Sequence, residues 1–300
     1  MVRDERFPNF FVIGVSKSGT TSLYDVLRQH PQVALSTVKE PSFFSDDDHY
    51  EKGLDWYLET QFSHARGFPA RGEMTPRYLY WGEKVAPRIR EACGDQPRFI
   101  AVFRDPVARA YSAYWHVVRL GVEPLSFEDG LAQEEERLRA HPDLFDRQGK
   151  LGWLYYRAGL YAEQLKIYFE LFPRDSFQFF LTEDLRDDFR GTMKKIFTFL
   201  RVDPNFEPAS AERNAASMPR SRRIDDAINK TAWYKEIFKR VIPLPMRHRL
   251  RKTLSDLNQS PFDYPPMNPE TKKMLREKYR PSIRQLESLL QRDLSHWMKE

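Results

Sequence analysis

Three short segments carry residue types whose chemistry is worth weighing first. Gly14 to Thr21 is a small-residue loop with Lys17 inside it and hydroxyls at Ser18, Thr20, Thr21 and, one residue on, Ser22. Lys39-Glu40 pairs a cation with a carboxylate ahead of Pro41. Arg104 and Ser112 stand eight residues apart, a guanidinium and a hydroxyl, the pair of groups that clamps a phosphate. A loop running into a helix N-terminus points free N–H groups at an anion, and Gly14 and Gly19 permit close backbone approach. A carboxylate near an alcohol is a general base.

Each segment has a plainer reading. The first fits a strand-to-helix turn with Lys17 in solvent, Glu40 fits a loop carboxylate paired with Lys39, and Arg104 fits a partner for Asp105. Gly14 and Gly19 also have the spacing of a triphosphate loop, G-x-x-x-x-G-K-[ST]. The position after Gly19 is Thr20, and the lysine comes early, at Lys17. That departs from a loop whose lysine reaches β/γ-phosphates and whose hydroxyl binds Mg²⁺. A nucleotide kinase or phosphotransferase therefore stands as an alternative. It lacks a convincing metal-binding aspartate, since Asp105 before Pro106 suits helix capping.

The elements that must position these groups are readable. Phe10–Ile13, Val33–Ser36, Arg98–Phe103 and Phe177–Leu181 are apolar runs of strand length. Helices are expected over 22–28, 50–62, 83–92, 107–120, 127–140, 157–171, 192–200, 227–241 and 270–290. Gly72 to Tyr78 reads as a loop, and Glu134-Glu135-Glu136 as a solvated face. Alternating strands and helices predict an α/β fold, a central parallel sheet flanked by helices. In such a sheet the ends of the strands could bring Lys17, Lys39-Glu40 and Arg104 together.

The whole is expected to be a single domain over 1–300, with 205–223 a basic loop over the site and 224–300 C-terminal helices. A net charge of +5 favours anionic ligands but is too mild for a nucleic-acid partner. Cys93 is the sole cysteine, so no intrachain disulfide forms and a cytoplasmic setting is favoured. No window is long and apolar enough to span a membrane. An excised catalytic domain of a membrane enzyme would have the same signature.

Asn9 to Ser22 resembles the 5′-phosphosulfate loop of sulfotransferases that use 3′-phosphoadenosine 5′-phosphosulfate (PAPS). Arg104 to Ser112 is similar to that family's R-D-P-x-x-R-x-x-S segment. Lys39 to Phe44 resembles the K-E-x-x-F-F of the heparan sulfate branch, and Glu73 to Tyr78 its E-K-T-P-x-Y. Arg292 to Trp297 looks like the ending of many bacterial members. The motifs run from residue 9 to the end in the family's order.

The resemblance implies a P-loop-like sulfotransferase fold and transfer from PAPS to an acceptor hydroxyl, with release of 3′-phosphoadenosine 5′-phosphate (PAP) and no metal. It implies that Lys17 contacts the bridging oxygen and that Ser18, Gly19, Thr20, Thr21 and Ser22 hold the 5′-phosphate. Arg104 and Ser112 would bind the 3′-phosphate, Arg220, Ser221 and Arg222 would close over the nucleotide, and Glu40 would be the base. Lys39 would keep Glu40 ionised or touch the sulfuryl group. A PAP-binding scaffold without turnover is the non-enzymatic alternative. Met74 replaces the motif's lysine, which suggests a less anionic acceptor than heparan sulfate. The acceptor could be a carbohydrate, a small molecule or a carrier-tethered chain. His116 and His64 are further candidates for catalysis, and Phe43, Phe44, Trp56, Tyr57, Tyr114 and Trp115 for an apolar cleft.

Overall fold

The computed structural model describes residues 4–94, 97–140, 153–209, 217–219, 259–261 and 263–299. Five strands, β1 (Phe10–Gly14), β2 (Val33–Leu35), β3 (Ala70–Met74), β4 (Arg98–Phe103) and β5 (Phe177–Leu181), form one sheet. Its order is β2-β3-β1-β4-β5 and every pairing is parallel. Chain order thus reverses at β1, and the crevice between the ends of β1 and β4 is the switch point where such sheets bind ligands.

The strands read as unbroken apolar runs because both faces are covered. Phe10, Val12, Ile100 and Val102 point to one core, capped by α1 (Thr20–Leu27) and a later helix, Phe189–Leu200. Phe11, Ile13, Phe99, Ala101 and Phe103 point to the other. There they meet α2 (Asp47–Tyr50) and α3 (Gly53–Phe62), α4 (Gly82–Cys93), α5 (Pro106–Arg119), and the helices Tyr161–Leu171 and Pro269–Leu290. The last of these inserts Leu275, Tyr279, Ile283 and Leu286 into that core. Asp105 caps α5 by accepting from Val107 N at 2.9 Å, and Pro106 occupies its first turn, which needs no N–H.

Four local expectations are corrected. Residues 72–74 belong to β3, which lies between β2 and β1. Gly72 gives that strand little apolar signal, yet a Cβ there would come within 2.1 Å of the Phe10 ring, so the ring occupies the missing side chain's place. The segment 50–62 divides into α2 and α3 at Gly53, whose φ of 83° suits glycine. The segment 127–140 divides into Phe127–Ala132 and Glu134–Ala140. Of its three glutamates, Glu135 and Glu136 are exposed but Glu134 is buried, accepting from the N–H groups of Tyr156 (2.6 Å) and Arg157 (2.8 Å).

A helix over Thr182–Asp187 was not anticipated, nor was the antiparallel pairing of Ser217–Pro219 with Gln259–Pro261. The C-terminal motif anchors on the former: Arg292 makes a bidentate pair with Asp184, and buried Trp297 donates to Glu183 at 3.0 Å. The expected helix 227–241 lies outside the described residues. Among the described residues, no helix is long and apolar enough to cross a membrane.

Candidate active site

The sheet's C-terminal edge gathers the chemistry-bearing loops. The turn after β1 places Lys17 at φ 74° and Gly19 at φ 81°. Gly19 is the N-cap of α1 and supplies no side-chain cap, so the first N–H groups of that helix have no capping acceptor. Ser18 is fully buried, and its Oγ has no hydrogen-bond partner among the described residues. Thr20 is buried on α1, Ser22 is half-buried, and Thr21 is exposed at its second position.

Two other strand ends reach this turn. Arg104, at the end of β4, donates from Nη1 to the carbonyl of Lys17 at 2.9 Å. Lys39, beyond β2, donates from Nζ to Thr21 Oγ1 at 2.7 Å and lies 3.9 Å from Glu40 Oε1. Lys17, Lys39, Glu40 and Arg104 therefore share one locality, as their strand-end positions suggested. Ser112 is buried two turns into α5, and its hydroxyl makes no hydrogen bond to Arg104 among the described residues. Arg220, Ser221 and Arg222 lie outside the described residues.

The local field is positive. Burial, then the charges of Arg119, Arg104 and Lys39, lower the Lys17 ammonium to about 8, with Glu40 opposing them. A group that gives up its proton this readily is poised to gain from an arriving anion. Arg119 was read from sequence only as part of a helix. His116 sits beside it, its Nδ1 accepting from Arg119 Nη2 at 3.0 Å. A guanidinium can only donate, so the proton of His116 resides on Nε2. Burial, then Lys17 and Arg119, lower the imidazole to about 4, so it is neutral at pH 7. Ser112, His116 and Arg119 follow an i, i+4, i+7 spacing, and this shared helix face was the signal available in the sequence.

The Lys39–Glu40 loop is unusual in its backbone. Glu40 and Ser42 have φ of 57° and 59°, left-handed values that cost of order 1–2 kcal/mol each. The loop is fastened from several sides. Ser42 Oγ donates to Glu40 O at 3.1 Å, His49 Nδ1 donates to Pro41 O at 3.2 Å, and Arg88 Nη1 donates to Phe44 O at 3.1 Å.

Other candidates belong elsewhere. His64 donates to the Leu35 carbonyl at 3.0 Å. Phe43, Phe44 and Tyr57 are buried in the core, with Trp56 packed at its margin, so they form no open cleft. Tyr114 and Trp115 pack among Tyr111, Phe127 and Tyr264. Met74 is 1% exposed and points to the α1-side core, because strand alternation turns it away from Glu73. The Met74 side chain therefore does not line the site, and position 74 brings no cation to it. Among the described residues, no group of three or more His, Cys, Asp or Glu side chains could hold a metal.

The family profile described as "Sulfotransferase domain" matches residues 7–280. Human heparan sulfate glucosamine 3-O-sulfotransferase 6 is 33% identical over 201 residues, covering 65% of this chain and 52% of the relative. The Drosophila melanogaster bifunctional heparan sulfate N-deacetylase/N-sulfotransferase is 26% identical over 220 residues, covering 67% and 20%. The chain thus spans about half the length, or less, of these curated relatives. A crystal structure of a sulfotransferase from Alicyclobacillus acidocaldarius superposes with a TM-score of 0.71 at 28% identity, covering 98% of this chain and 99% of the other.

Proposed function

The chain belongs to the sulfotransferase domain family, and from that premise we propose that it transfers the sulfuryl group of PAPS to an acceptor hydroxyl and releases PAP. The observation that carries the reading is the meeting of Lys17, Lys39, Glu40 and Arg104 at the β1/β4 switch point. A strand-loop-helix turn with uncapped N–H groups and an unpartnered buried hydroxyl at Ser18 suits a bound phosphate.

PAPS supplies the sulfuryl group. The chain's own residues supply position and charge. The α1 N-terminus, with Ser18, Gly19, Thr20, Thr21 and Ser22, holds the 5′-phosphate. Arg104 and Ser112 hold the 3′-phosphate. Arg220, Ser221 and Arg222 are assigned to the nucleotide on their motif alone. Glu40 takes the proton of the acceptor hydroxyl as that oxygen bonds to sulfur. Lys17 stabilises the charge that develops on the bridging oxygen when its bond to sulfur breaks. Lys39, held against Thr21, keeps a positive charge between Glu40 and the turn. His116, neutral and with its proton on Nε2, is a further donor near Lys17.

The reaction as proposed draws on no metal ion. A carbohydrate hydroxyl is the first acceptor to try, because the 3-O-sulfotransferase relatives act on glucosamine in heparan sulfate by name. Small-molecule alcohols and carrier-tethered hydroxyacyl chains complete the panel.

Thermal melting with PAP, with ATP·Mg²⁺ and with neither tests the nucleotide site. PAP at a hundred times its dissociation constant adds about 2.7 kcal/mol of stability. Stabilisation by ATP·Mg²⁺ and none by PAP would overturn the reading.

A further inference from the structure

A buried carboxylate lies beneath the loop that carries Glu40, and among the described residues no cation pairs with it. Glu73 is 0% exposed, on β3 opposite Phe11 in register. Its charge is met by hydroxyls instead. Tyr57 Oη donates to Oε2, while Thr75 Oγ1 (2.6 Å) and Tyr78 Oη donate to Oε1. Burial raises the carboxyl's affinity for a proton, and the three hydroxyls oppose that rise.

The direction of these bonds matters. A carboxylate only accepts, so each hydroxyl must turn its proton towards Glu73. Tyr78 is then left with a lone pair, and it accepts the N–H of Phe44 at 3.0 Å. Phe44 follows the two left-handed residues Glu40 and Ser42. The adjacent side chains rest on the same phenols: Phe43 stacks on Tyr57 with centroids 4.2 Å apart, and Phe44 meets Tyr57 and Tyr78 edge-on. The loop is thus tied, through main chain and rings, to two tyrosines whose hydroxyls both end on Glu73.

We infer that Glu73 is a positioning residue: acting through Tyr78 and Tyr57, its carboxylate fixes the strained loop that presents Glu40 to the acceptor hydroxyl. The inference rests on the reading of Glu40 as the base. An amide at position 73 would turn N–H groups towards hydroxyls that now donate there, so at least one hydroxyl would have to reverse. Placement errors of about 1 Å in a reacting group cost on the order of 100-fold in rate.

Tyr78→Phe is the sharper probe, because it keeps the ring and removes only the hydroxyl; Glu73→Gln accompanies it. Transfer from labelled PAPS is measured on whichever panel acceptor reacts fastest, with PAP affinity and Phe44 amide hydrogen exchange measured in parallel. Both variants should lose on the order of 100-fold in kcat, keep wild-type PAP affinity, and expose the Phe44 amide to fast exchange. In a Glu40→Gln background, Tyr78→Phe should lower the residual rate no further. Undiminished kcat in Tyr78→Phe, or an equal loss in the Glu40→Gln background, would overturn the inference. If the wild type labels no acceptor, the transferase reading fails first. The exchange measurement then decides the loop linkage separately: unchanged protection at Phe44 in Tyr78→Phe refutes it, and fast exchange upholds it.

Discussion

Arg104 Nη1 donates to the main-chain carbonyl of Lys17 across 2.9 Å, joining two segments that are 87 residues apart. The bond ties the end of β4 to the turn after β1. In the proposed site, one guanidinium would thus set the shape of the loop that receives one phosphate and keep its other N–H groups for the second. In the proposed site the two phosphate subsites are therefore mechanically linked.

Replacing Arg104 with Ala should weaken PAP binding through both roles. Loss of a charge-assisted hydrogen bond is worth about 1.5–3 kcal/mol, or roughly tenfold to a hundred-fold in dissociation constant. Calorimetric titration with PAP checks it. Undiminished affinity would remove Arg104 from the nucleotide site.

Lys17 gives PAP binding a pH signature. In the free protein its ammonium is lowered from the ordinary 10.5 to about 8. Between those values the folded chain holds fewer protons than the unfolded one, so this group's contribution to stability rises with pH across that window. A bound phosphate favours the charged ammonium and draws its pKa back up. PAP binding should accordingly take up protons above pH 8, and its affinity should fall as pH rises from there. Titrations in buffers of different ionisation enthalpy read the uptake directly. Lys17→Met should abolish it; uptake that survives in this variant would assign the proton elsewhere.

Gly72→Ala tests the placement of β3. The new methyl would stand 2.1 Å from Phe10 Cζ, in the middle of the sheet. Overpacking of this kind costs about 1–3 kcal/mol or more. Urea unfolding should show the midpoint falling accordingly. A midpoint at the wild-type value would mean that Phe10 does not cover this position.

The strands β1, β4 and β5 were legible because burial on both faces makes them continuous apolar runs. β3 was not, because Gly72 and Glu73 owe their burial to distant partners. Phe10 fills the space over the glycine, and Tyr57 and Tyr78 satisfy the carboxylate. No local pattern announces a buried glutamate whose partners come from a helix and a later turn. The same holds for Glu134, whose neighbours Glu135 and Glu136 are in solvent.

In the candidate site, residue types and order were readable, while their meeting depended on strand order. Lys17, Lys39-Glu40 and Arg104 sit at the ends of β1, β2 and β4, and a parallel sheet brings those ends to one edge. Arg119 and His116 needed only the helix spacing from Ser112. The packing of Met74 was not readable, because a motif position says nothing about which face of a strand its side chain occupies.

In the proposed reaction Glu40 takes the acceptor proton while the turn after β1 and Arg104 hold the nucleotide. The direct measurement is transfer from labelled PAPS, alongside PAP affinity, in the wild type and in Glu40→Gln. General-base catalysis contributes roughly 10²–10⁴-fold, so the variant should lose that much in kcat and bind PAP as the wild type does. Wild-type turnover by Glu40→Gln would contradict a general-base role for Glu40.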